Sequence, residues 1–147
     1  MDHDAALPGT DDRLRALRAA LEGTLSARMG MELEELAPEG GAMTMPVEGN
    51  LQPAGLLHGG ATISLAETVA SMAAILQARA VHGEGAAAVG TTVSAVHHRS
   101  ARSGRVRATC TARQLGRQVA AYLVEVHDEQ GTLISTIQVT TQLLPPR

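Results

Sequence analysis

Residues 52–71 read Gln52-Pro-Ala-Gly-Leu-Leu-His58-Gly59-Gly60-Ala-Thr-Ile-Ser-Leu-Ala-Glu67-Thr-Val-Ala-Ser71, a turn-rich loop that runs straight into an apolar segment. The twenty residues after Gly60 contain no glycine or proline and are rich in alanine, leucine and methionine. That composition predicts one long helix over about 59–80, broken by Val81-His82-Gly83-Glu84-Gly85. Glu67 lies inside it among Leu65, Ala66, Val69 and Ala70. A carboxylate in such company is costly unless it is paired or hydrogen-bonded. Ser64, Glu67 and Ser71 recur at steps of three and four, so they share one helix face. A polar stripe with a carboxylate at its centre suits a general base or a nucleophile. It equally suits a structural carboxylate satisfied by its two serines.

His58-Gly59-Gly60 stands where the helix begins. Unpaired backbone N–H groups and the positive end of the dipole make such a start an anion or oxyanion site, and the glycines allow close approach. They equally serve a chain that only has to turn into a tightly packed helix. Gly59 and Glu67 are separated by roughly 12 Å of helix rise. One carbonyl cannot touch both groups on the same helix. If the two share a site, a second chain running the other way about a two-fold axis must supply one of them.

On the N-terminal side, residues 1–10 read as a flexible leader, with Thr10 or Asp11 a plausible N-cap. Leu14, Leu17, Leu21 and Leu25 then predict one amphipathic helix ending near Gly30. Strands are expected at about 29–36 and 42–48, around the turn Pro38-Glu39-Gly40-Gly41. Beyond the long helix, four strands are expected at about 86–98, 104–114, 118–127 and 132–143. Their dividers are Arg102-Ser103-Gly104, Leu115-Gly116-Arg117 and Asp128-Glu129-Gln130-Gly131. Consecutive strands at this spacing predict a meandering antiparallel sheet, hence an α+β fold with residues 11–147 as one domain.

Composition narrows the function classes. The 147 residues carry a formal net charge of −3, and all twelve basic residues are arginine. There is no Phe or Trp and only one Tyr, so neither a basic face nor stacking rings favour nucleic acid. The single Cys110 excludes an intramolecular disulfide and any cysteine-only metal site, and its setting in Thr109-Cys110-Thr111 reads as a structural thiol. No histidine pair has metal-ligand spacing on a helix. The glycines from Gly83 to Gly90 have the wrong spacing for a dinucleotide loop. The acidic start lacks an apolar signal core, and the charge-free run from Thr68 to Ala78 is short for a bilayer. A cytoplasmic protein with no membrane partner is expected.

The run from Gly49 through Ser71 resembles the signature of hotdog-fold acyl-CoA thioesterases, closest to the phenylacetate-degradation (PaaI), 4-hydroxybenzoyl-CoA and enterobactin-pathway proofreading type. Val93-Ser-Ala-Val-His97-His-Arg99-Ser100-Ala-Arg102-Ser-Gly104-Arg105-Val106-Arg107 and Asp128-Glu-Gln-Gly131 share the likeness, which covers roughly residues 28–144. The resemblance implies a hotdog fold, in which a sheet wraps one long helix and two subunits join sheets edge to edge. It implies hydrolysis of an acyl-CoA thioester by a homodimer or a dimer of dimers, with no metal or redox cofactor.

By the same resemblance Glu67 is the catalytic carboxylate and the Gly59 N–H polarises the thioester carbonyl. Gln52 and His58 orient the reacting groups, while Ser71, His97 and Gly60 contact the substrate. Gly90, Arg99, Ser100 and Arg117 fall at CoA-binding positions. His97 and His98 are strand neighbours facing opposite ways, and the motif selects His97 for the pocket. Arg99, Arg102, Arg105 and Arg107 crowd one turn, as a solvated strand end or as a phosphate cradle. The other readings open at this point are a non-catalytic acyl-CoA-binding module and an acyl-CoA hydratase or dehydratase.

Overall fold

A computed structural model describes residues 10–147; the leader expected over 1–10 lies outside the described residues except for Thr10. The elements are α1 (Thr10–Ala19), α2 (Leu25–Arg28), β1 (Glu32–Ala37), β2 (Gly40–Pro46), α3 (Gly59–His82), β3 (Ala87–His97), β4 (Arg105–Leu115), β5 (Val119–Asp128) and β6 (Leu133–Leu144). The single N-terminal helix expected from the leucine spacing is in fact two. Gly23 takes a φ of 72° and breaks it, so Leu14, Leu17 and Leu21 pack inward while Leu25 is left exposed.

All six strands form one antiparallel sheet, but not the simple meander expected. Its order is β1-β2-β4-β5-β6-β3. β4, β5 and β6 do meander, whereas α3 carries the chain across the sheet and delivers β3 to the far edge. Local strand spacing cannot reveal that crossover, because it depends on which edge the helix returns to. α3 touches every strand. By length and composition it is apolar enough to cross a bilayer; here it is the core helix on which the sheet closes.

The core is built from Val, Leu, Met, Ile and Ala, with Leu65, Ala66, Val69, Ala70, Ala73 and Ala74 of α3 buried against the strands. Alanine on the helix lets the sheet approach closely, and the one tyrosine fills the space beneath. Tyr122 is buried and donates to Pro38 O at 2.8 Å. Cys110 is buried on β4, and burial pushes its thiol up to about 12. The two sheet edges differ. On β1 the Arg18 Nε from α1 donates to Leu33 O at 2.9 Å, whereas β3 has no such cap among the described residues. β3 shows both faces to solvent, with Val89 and Val96 about half exposed. An edge strand of this kind presents a row of unpaired N–H and C=O groups.

Candidate active site

The loop before α3 is anchored by Asn50. Its side-chain amide donates to Met29 O and Pro46 O, each at 2.8 Å, and its backbone carbonyl accepts from His58 N at 2.9 Å. Asn50 thereby sets the approach of His58, a role that nothing in the motif announces. Gln52 follows in a tight turn. Its Oε1 accepts from Ala54 N, and its backbone N–H donates to Leu56 O.

At the start of α3, His58 is the N-cap and its Nδ1 accepts from Gly60 N at 2.8 Å. That nitrogen must therefore carry a lone pair, and Gly60 has no free N–H to offer a substrate. Ala61 N and Thr62 N both donate to His58 O. Of the first-turn donors only the Gly59 N–H has no partner among the described residues. The sequence suggested a cluster of anion-binding N–H groups; the cap reduces it to one directed donor.

Gly59 faces His97. A side-chain Cβ on Gly59 would lie 2.8 Å from His97 Nε2, so glycine is needed for the ring to sit there. His97 Nδ1 lies 2.7 Å from Ser135 Oγ, while His98, on the opposite face, has its Nε2 2.9 Å from Thr136 Oγ1. A cavity of about 200 Å³ opens at this end of α3, bounded by Gln52, Leu57, Gly59, His97, Arg99 and Ser100 among others. None of its lining residues is Phe, Tyr or Trp.

Glu67 does not line that cavity. It is half-buried, and it has no hydrogen bond among the described residues. The serines do not satisfy it as the structural reading expected. Ser64 Oγ is turned to Gly60 O at 2.9 Å, and no hydrogen bond joins Ser71 to the carboxylate among the described residues. Glu67 abuts Gly90 instead: a Cβ there would lie 2.9 Å from Glu67 Oε1 and 4.0 Å from Ser71 Oγ. Gly90, assigned to CoA by resemblance, sits against the carboxylate.

The remaining candidates separate. Arg105 pairs with Glu32 at 3.5 Å and also donates to Thr44 Oγ1. Arg107 pairs with Glu34 at 2.6 Å and with Glu35 at 3.7 Å. These two arginines clip β4 to β1 and β2, which removes them from the suggested phosphate cradle. Arg99 and Ser100 remain beside the cavity. Arg117 is at the other end of α3, where it donates to Val81 O, while His82 Nε2 contacts its carbonyl. One chain therefore holds two groups of residues: Gln52, His58, Gly59, His97, Arg99 and Ser100 at the helix start, and Glu67, Ser71 and Gly90 further along.

The sequence model of the thioesterase superfamily matches residues 54–135, which span the helix start, Glu67, His97 and His98. The chain belongs to this family. The thioesterase is 42% identical over 132 residues to the proofreading thioesterase EntH of Cronobacter turicensis, covering 89% of this chain and 93% of that one. Its fold is similar to a solved Pseudomonas aeruginosa thioesterase, a Gln→Ala variant, with a TM-score of 0.83 and 33% identity over 90% of this chain and 94% of the other. A Staphylococcus aureus thioesterase, 27% identical with a TM-score of 0.76 over 82% and 98% of the two chains, has also been solved. Structures of that protein exist with a glutamine or a glutamate changed to alanine, at positions fifteen residues apart. The hotdog architecture and thioester hydrolysis follow for this chain.

Proposed function

We propose that this thioesterase hydrolyses acyl-CoA thioesters at a site assembled from two copies of the chain. The observation that carries this is the separation of the two groups just described. Gly59 contacts His97, Glu67 contacts Gly90, and the cavity at the first pair excludes the second. A two-fold axis close to Ile63 on α3 would set Gly59 of one chain beside Glu67 of the other. The same axis passing near Val93 and Ser94 would pair the free β3 edges and set His97 opposite the partner chain's copy of Gly90. Helix and strand call for one dyad, and the uncapped edge is the one that this dyad pairs.

In that arrangement Glu67 attacks the thioester carbonyl directly or takes a proton from a water that does so. On the first route the C–S bond breaks to leave an acyl–Glu67 anhydride that water then hydrolyses, and on the second the activated water displaces the sulfur itself. On both, CoA leaves as the thiol, its proton derived from water, and the acid is released. The Gly59 N–H stabilises the oxyanion, a donor worth roughly 2.7–4 kcal/mol in such sites. Gln52 and His58 orient the carbonyl, Ser71 places the water, and His97 bounds the acyl group. Gln52 and Glu67 have the same fifteen-residue spacing as the glutamine and glutamate altered in the Staphylococcus aureus relative. Arg99 and Ser100 are placed for the CoA phosphates. Arg117, at the far end of α3, would reach CoA only from a partner chain. We place the protein in the cytoplasm as a dimer of dimers.

Two inactive variants test the shared site. Glu67→Ala chains mixed with chains altered at both Gln52 and His58 should recover up to about half of wild-type activity per mixed dimer, because one of two sites then carries both intact halves. Subunit exchange is followed with differently tagged chains. Exchange with no recovered activity overturns the shared site. Thiol release from benzoyl-CoA, phenylacetyl-CoA and hexanoyl-CoA ranks the acyl groups.

A further inference from the structure

His97 of the cavity wall is backed by a polar partner to which the mechanism above assigns no chemistry. Ser135 lies directly opposite His97 in the β3–β6 ladder and is fully buried. Its Oγ is 2.7 Å from His97 Nδ1, and among the described residues the hydroxyl has no other hydrogen-bond partner. A buried O–H left without an acceptor is strongly disfavoured, and the ring nitrogen is the acceptor at hand. The hydroxyl therefore donates to Nδ1, and a ring that carries one proton then holds it on Nε2. The reverse arrangement, Nδ1–H donating to Oγ, would leave the buried serine proton without an acceptor among the described residues. It would also turn a bare lone pair toward the oxygen of an approaching carbonyl.

Nε2 is the nitrogen that faces Gly59, 2.8 Å from the point a Cβ on that residue would occupy. Beside it stands the unpartnered Gly59 N–H. We propose that Ser135 is a positioning residue that holds His97 in its Nε2–H tautomer, so that His97 presents a second N–H donor next to that of Gly59. The acceptor it fits is an oxygen of the bound thioester, first its carbonyl as negative charge develops. This rests on the reading that the thioester is cleaved at Gly59. It gives Gly59 a second requirement besides its amide: any larger residue would separate the two donors.

The test is long-range ¹H–¹⁵N correlation on histidine-labelled protein, with the His97 signals assigned by their loss in His97→Gln. The wild type should show the proton on Nε2; a proton on Nδ1 overturns the proposal, whatever any variant does. In Ser135→Ala both tautomers should appear, and kcat should fall about three- to tenfold, the worth of one buried hydrogen bond, with KM moving less. Unchanged tautomer and unchanged kcat in that variant also overturn it. The spectrum is recorded without substrate, so it judges the Ser135–His97 lock alone. Failure of the cleavage reading shows up separately, as thioester turnover surviving Glu67→Gln.

Discussion

Replacing Gly90 with alanine separates catalysis from stability at one atom. The new Cβ would stand 2.9 Å from Glu67 Oε1, where an ordinary contact needs 3.4 Å or more. The carboxylate must retreat by about 0.5 Å, and it can do so cheaply, since it is the free end of a flexible side chain. Misplacing a reacting group by 1 Å can cost about 10²-fold, so about tenfold in kcat is expected here, with KM little changed. The fold should not suffer. Gly90 does not occupy the left-handed backbone region, and Gly→Ala at a compatible position stabilises by about 0.4–1 kcal/mol through the unfolded chain. Thiol-release kinetics and thermal unfolding on the same samples make the comparison. In a Glu67→Gln background the same change should have no further effect on residual turnover. An unchanged kcat, or a kcat and Tm that fall together, would refute the contact as a catalytic constraint.

Glu67→Gln itself should lower kcat by about 10²-fold or more, the range for loss of a general base, with no loss of Tm because the carboxylate has no hydrogen bond among the described residues to give up; turnover near wild type rejects its role. Ser94→Cys, on the β3 face opposite Val93 and Ala95, should give an oxidised, covalently linked dimer on non-reducing gels, whereas Glu32→Cys on the capped β1 edge should not. The reverse result would move the interface to the other edge. Burial raises the Cys110 thiol from 9.0 to about 12, so its contribution to stability is complete below pH 9 and drains away as pH climbs toward 12. Once the unfolded thiol ionises, the loss is about 1.4 kcal/mol per pH unit. Urea midpoints measured from pH 8 to 11 should fall, and less steeply in Cys110→Ala; a flat wild-type curve contradicts the buried thiol.

Much of this protein follows from interactions a few residues long. The Gly- and Pro-free run after Gly60 makes α3, the turns at Pro38-Glu39 and Asp128–Gly131 end strands close to where they are expected, and helix rise alone keeps Gly59 from Glu67. Those are backbone propensities, and neighbouring residues settle them. The leucine repeat failed at Gly23 because one left-handed residue outweighs a side-chain pattern. The rest depends on partners far apart in the chain. The β3 edge position follows from where α3 returns to the sheet. Arg105 and Arg107 are withdrawn from the cavity by Glu32 and Glu34, more than seventy positions away. The pairing of His97 with Ser135 and of Gly90 with Glu67 exists only because a bulged strand, a helix and a neighbouring strand meet at fixed registers. No local signal marks Ser135, since a serine in a strand looks the same whether its hydroxyl meets water or a histidine. The buried register leaves it only the ring.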